Sequence, residues 1–188
     1  MNDTLIIMIY TLVPLGNPGE KYAHTRHNVA RIVINLILDD IKSLSGCEIF
    51  VPETYMNESG DAVSGYLRYH EGRELVVIHD DKDLPSGTFR ISFDRGSAGH
   101  NGVESIIASL GGKDFIRIRI GIAPKDENGT VIPPTGEAIQ DYVMGKIRED
   151  EEEDLRAIAA NVFGAIKILT EEGYQRAMDK YNGIVNGL

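Results

Sequence analysis

Apolar positions along the 188-residue chain follow two different periods. Alternating or short continuous apolar runs predict strands at Thr4–Val13, Glu48–Val51, Glu74–His79, Thr88–Phe93 and Phe115–Ala123. In the last of these, Ile116, Ile118, Ile120 and Ile122 share one face while Arg117 and Arg119 share the other. Paired arginines of this kind either bind phosphate or stand in solvent, and solvent is the default for charge. Helical spacing joins Val29, Ile32, Val33, Leu36 and Ile37, and again Leu155, Ile158, Ala159, Val162, Phe163 and Ile166. Shorter helices are expected after Gly60, after Gly102 and over Tyr174–Tyr181, and the Gly- and Pro-rich stretch Gly121–Asp141 reads as a loop. There are no internal repeats and no low-complexity linker, so residues 1–188 are expected to form one domain. Strands alternating with helices make that domain α/β and layered.

Charge narrows the function classes. A net charge of −10 argues against a general nucleic-acid binder, because phosphate affinity comes from lysine and arginine. The acid is unevenly placed, however. Residues 149–154 are all acidic and open the second long helix, where the macrodipole favours them. The span Lys82–Arg119 holds six basic residues against four acidic ones, which leaves room for a locally basic face. Cys47 is the only cysteine, so neither an intramolecular disulfide nor a four-cysteine zinc site can form. The apolar run Leu5–Tyr10 follows no basic residue and is too short to span a bilayer. It reads as a buried strand of a cytoplasmic protein with no membrane association.

Polar clusters punctuate the strand ends and loops: Gly16–Gly19, Thr25–Asn28, Tyr55–Asn57, His79–Asp81 and, opening a helix, Gly99–Gly102. In open α/β sheets ligands bind beyond the carboxyl ends of the strands, so these distant clusters can converge there. The set supplies histidine, carboxylates and carboxamides. It contains no Gly-x-Ser-x-Gly elbow, and Cys47 has no partner motif, so attack by a protein nucleophile has no support. A histidine oriented by a carboxylate can instead deprotonate water, with asparagine amides donating to a developing oxyanion. His24 and His27 with Asp80, Asp81 and Asp83 lack any His-Glu-x-x-His-like signature, so a metal is not expected. His24, His70 and His79 read as surface or packing residues. The spacing of Gly96, Gly99 and Gly102 is weak evidence for phosphate binding, and single motifs alone reach only a hydrolytic enzyme or a binding module.

Taken as an ordered set, the clusters resemble the bacterial-type peptidyl-tRNA hydrolase family. The motifs run Leu15-Gly-Asn-Pro-Gly-Glu-Lys-Tyr22, Thr25-Arg-His-Asn-Val29, Pro52-Glu-Thr-Tyr-Met-Asn57, His79-Asp-Asp-Lys-Asp-Leu-Pro85, Gly99-His-Asn-Gly102, Arg117–Ile122, Tyr142–Lys146 and Ala177–Asn182. The resemblance implies a three-layer α/β/α domain around a twisted mixed sheet, monomeric, with no metal or cofactor. It implies cleavage of the ester joining a peptide to the 3′ end of tRNA. His27 would be the base, Asp80 its orienting carboxylate, and Asn17 the residue that helps tell blocked from free aminoacyl-tRNA. Tyr22, Tyr55, Met56, Asn57 and Asn101 would line the groove for the peptide and the 3′-terminal nucleotide. Arg119 keeps a phosphate-contacting position; Ser92 stands where a lysine is usual, with Arg90 and Arg95 nearby. The stretch between Asn28 and Pro52 is shorter than is typical. A non-catalytic RNA-binding relative, like the splicing cofactors similar to this family, is the competing reading.

Overall fold

The computed structural model describes residues 8–183, so the first part of the predicted Thr4–Val13 strand lies outside the described residues. Five strands, β1 (Ile9–Pro14), β2 (Cys47–Ile49), β3 (Arg73–Pro85), β4 (Phe89–Phe93) and β5 (Ile116–Ala123), form one sheet in the order β2-β1-β3-β5-β4. All neighbours pair in parallel except β4 with β5. The sheet is therefore mixed. Its central strands are buried on both faces, which is why β1 and the Leu75–Ile78 stretch of β3 read as near-continuous apolar runs, whereas β5 buries arginine as well as isoleucine.

Helices cover both faces. On one side α1 (Val29–Leu36), α6 (Glu149–Glu172) and α7 (Tyr174–Tyr181) pack Val33, Leu155, Val162, Ile166 and Tyr181 against Leu12, Val76, Ile78, Ile118 and Ile120. On the other, α3 (Ser59–Arg68) and α4 (Asn101–Leu110) pack Val63, Val103 and Ile106 against Val13, Val77 and Phe115. This is the expected three-layer α/β/α arrangement. No described helix is long and apolar enough to cross a membrane.

Several boundaries differ from the sequence expectation. The first predicted helix breaks at Ile37, whose backbone is not helical, and a short α2 (Leu38–Lys42) follows. The expected loop over 121–141 is shorter at both ends, because β5 runs to Ala123 and α5 (Ala138–Met144) begins before Asp141. The largest difference concerns β3, which continues six residues past His79. Asp80 and Asp81 stand opposite Ile120 and Gly121 of β5, so backbone pairing carries the strand through a polar stretch that reads as a turn.

The topology fixes where a ligand can sit. From β1 the chain leads outward to β2 at one edge, whereas β3 leads to β4 and β5 on the other side. The carboxyl ends of β1 and β3 are thus the point at which the strand order reverses, and crevices open at such points.

Candidate active site

A cleft of about 920 Å³ lies at that point. His27 reaches it from a 3₁₀ turn, Arg26–Asn28, that precedes α1 on one face of the sheet. His100 reaches it as the N-cap of α4 on the opposite face. Between them stands Asp80, buried near the end of β3. His27 Nδ1 donates to Asp80 Oδ1 at 2.8 Å, and His100 Nε2 donates to the same oxygen at 2.9 Å. Helices from both outer layers therefore converge on a single carboxylate oxygen.

Electrostatics keep this carboxylate ionised. Burial alone would raise the Asp80 carboxyl, but the imidazoles of His100 and His27 outweigh it and hold the group far below the usual carboxylate range. His27 shows the reciprocal balance. Burial pulls its imidazole down, the Asp80 charge and hydrogen bond push it up, and the net direction is upward. With Nδ1–H committed to Asp80, the lone pair of neutral His27 resides on Nε2.

Asn17 is held by its neighbours. Its backbone N–H donates to Asn28 Oδ1 at 2.9 Å, and Asn28 Nδ2 donates back to the Asn17 carbonyl at 3.0 Å. Its side-chain Oδ1 accepts from the Met56 backbone N–H at 2.9 Å, which leaves Nδ2 as the amide's donor edge, engaged only by a sulfur acceptor. Nδ2 lies 3.9 Å from Met144 Sδ.

Of the residues singled out from sequence, Asn17, His27, Tyr55, Met56, Asn57, Asp80, Arg95, Asn101 and Arg119 line the cleft. Tyr22 does not; it meets Tyr55 edge to face with ring centroids 6.4 Å apart. Arg90 also lies outside. It is exposed on β4 directly opposite Arg119 of β5, so the two side chains share one face of the sheet at the edge of the cleft lining. The arginine pair of β5 departs from the solvated expectation. Arg117 is 2% exposed, and its guanidinium donates to the carbonyls of Gly96 (2.8 Å) and Arg95, bracing the loop beside the cleft. Burial and the nearby Arg119 lower its pKa to about 10. Arg119 is half-buried, with Nε donating to Asp81 Oδ2 at 2.6 Å.

Sequence reasoning missed or only half-read three features. His100 was visible only as part of a Gly-His-Asn-Gly cluster, and its role as a second partner of Asp80 depends on α4 lying across the sheet from α1. One wall of the cleft comes from α5: Ile139 fell in the expected loop, and Val143 and Met144 were visible only as part of the Tyr142–Lys146 motif. His79, read as a surface or packing residue, is buried beside His100 with ring centroids 4.7 Å apart, and its Nδ1 donates to the Asp80 carbonyl at 2.7 Å. Burial pushes its pKa well below the ordinary histidine value.

The donor atoms of His27, Asp80 and His100 lie within 4.8 Å of one another, a spacing that a metal ion can use. Their hydrogen bonding does not suit one. The Val103 N–H donates to His100 Nδ1, which assigns the ring proton to Nε2. A metal on Nε2 would move that proton to Nδ1, where it would face the Val103 N–H.

Fold and site define an α/β enzyme class with a carboxylate-held histidine at the switch point of its sheet. The profile of the peptidyl-tRNA hydrolase family matches residues 11–187, and the chain belongs to that family. Its relatives include a peptidyl-tRNA hydrolase of Fervidobacterium nodosum, 38% identical over 92% of this chain and 96% of its own. Another, from Chloroflexus aurantiacus, is 36% identical over 93% of this chain and 99% of its own. The crystal structure of peptidyl-tRNA hydrolase from Acinetobacter baumannii superposes with a TM-score of 0.82 at 27% identity, covering 95% of this chain and 97% of that one.

Proposed function

We propose that this chain hydrolyses the ester bond of peptidyl-tRNA with water activated by His27. The reading rests chiefly on the 2.8 Å contact between His27 Nδ1 and the ionised Asp80, in a cleft that also presents asparagine amides. Neutral His27 takes a proton from water through Nε2 as the oxygen attacks the ester carbonyl, and Asp80 stabilises the imidazolium that forms. The Asn17 Nδ2 edge donates to the oxyanion or to the carbonyl of the acyl group that blocks the substrate's amine. Collapse of the tetrahedral intermediate expels the 3′ oxygen of the terminal ribose, which takes the proton back from His27. Peptide acid and free tRNA leave, and the base is restored.

The cleft suits a two-part substrate. Arg95 and Arg119 provide cationic wall for the RNA, and Met56, Ile139, Val143 and Met144 provide apolar wall for the peptide. Tyr55, Asn57 and Asn101 lie where the 3′-terminal nucleotide and the peptide backbone would meet, with Tyr22 supporting Tyr55. The protein works as a single-domain monomer in the cytoplasm, without metal or cofactor.

Cleavage of N-blocked aminoacyl-tRNA, measured beside binding of deacylated tRNA, tests the assignment; binding without cleavage would favour the non-catalytic RNA-binding alternative. Dialysis against a chelator should leave turnover unchanged. Activity lost on chelation and recovered with zinc or magnesium would mean that a metal, not His27 alone, activates water.

A further inference from the structure

Arg26 and Glu151 form an ion pair that the chemistry above does not use. Both side chains are buried. Arg26 Nε and Nη2 each donate to a different Glu151 oxygen at 2.7 Å, a bidentate fork. Sequence pattern gave no hint of this. Glu151 reads as one member of the acidic block that opens α6, yet it is 5% exposed while its neighbours Glu149 and Glu153 stand in solvent.

The pair lies where three elements meet. Arg26 is the residue before His27 in the 3₁₀ turn. Glu151 sits in the first turn of α6, which the core anchors through Leu155, Ile158 and Val162. Arg26 also stacks over the Tyr142 ring at 4.3 Å and donates to the Tyr142 carbonyl at 3.3 Å. Its backbone N–H donates to Gly145 and Ile147 N–H donates to His24, zipping the turn to the end of α5. That end carries Val143 and Met144 of the cleft wall.

We propose that the Arg26–Glu151 pair is a positioning device, fixing the turn that carries His27 and the α5 wall in one geometry relative to the core. The inference rests on the role of His27 given above. Stability alone is a weak reason to bury such a pair, because well-packed apolar replacements of a buried ion pair are often neutral or stabilising. Orientation is a stronger one. His27 must meet Asp80 on one side and water on the other, and a misplacement of about 1 Å in such a group can cost about 100-fold in rate.

The matched apolar replacement Arg26→Met with Glu151→Leu separates the two roles. A positioning role predicts a folded protein whose kcat falls about 10- to 100-fold, with the acid limb of its pH–rate profile moved to lower pH as His27 loses its contact with Asp80. Arg26→Lys keeps the charge but not the fork, and should fall between this variant and wild type. A folded double variant with kcat within about twofold of wild type and an unmoved acid limb would overturn the inference. Should the double variant not fold, the same readouts on Arg26→Lys decide, wild-type kcat and limb again overturning it. Wild-type turnover in His27→Ala would instead sink the base assignment; loss of turnover there, with an unaffected double variant, sinks only the role of the pair.

Discussion

A carboxylate oxygen that accepts two imidazole N–H groups is fixed in place from opposite sides, and this is the situation of Asp80 Oδ1. The consequence for catalysis lies in the pH dependence. Asp80 raises the pKa of His27 above its ordinary value, so with His27 as the proposed base the acid limb of the rate should lie higher than an isolated histidine would place it. Asp80→Asn removes the charge and keeps the shape. Turnover should fall and the acid limb should move to lower pH; a limb that stays put would show that Asp80 does not govern the base. At this scale residue identity alone offered histidine, carboxylate and carboxamide chemistry, and it was the ordered motifs, through their family resemblance, that singled out His27 with Asp80. It was uninformative where the environment decides. Arg117 and Arg119 alternate in the same way along β5, yet one is sealed beneath the loop after β4 and the other lies against Asp81 in the cleft. Only the loop's path distinguishes them.

At the scale of elements, close backbone approach sets the layer that carries His100. α3 and α4 touch at Gly60, where an added Cβ would collide with the Ser105 carbonyl, and the Gly60 N–H donates to Ser105 Oγ at 2.9 Å. Gly60→Ala should therefore push the two helices apart. The expected cost is about 1–3 kcal/mol, the usual penalty of overpacking, read as a lower midpoint in denaturant with unchanged slope. An unchanged midpoint would mean that the contact relaxes freely. Helix and strand periods located nearly every element, including α7 to the residue, because their apolar faces repeat cleanly. The end of β3 escaped because its polar residues are held by pairing with β5 rather than by burying apolar surface. Gly121 is part of the same device: a Cβ there would strike the Pro85 carbonyl, so its place in a Gly-rich stretch reflects close strand approach rather than a loop.

For the whole molecule, the open matter is how a chain of net charge −10 holds a polyanion. Arg95 and Arg119 line the cleft, Arg119 held by Asp81; Lys82 there is paired with Asp83, and Arg90 stands across from Arg119 outside the lining. About two phosphate contacts follow, each contributing a slope of about −0.7 to −0.9 in log K against log salt. Arg119→Ala should flatten that slope by roughly one contact and raise KM more than it lowers kcat, since the phosphate is remote from the ester. Parallel salt plots for the two proteins would place the tRNA body elsewhere. The layered α/β architecture was legible from the order of elements, whereas the convergence of His27 and His100 on Asp80 was not, because it depends on helices from opposite layers meeting at the switch point. The mechanism as a whole turns on one base. Single-turnover cleavage of peptidyl-tRNA by folded His27→Ala, with substrate binding measured in parallel, tests it most directly. Cleavage should slow by about 10²- to 10⁴-fold with binding little changed. A well-folded His27→Ala protein that cleaves at close to the wild-type rate would contradict histidine-activated water.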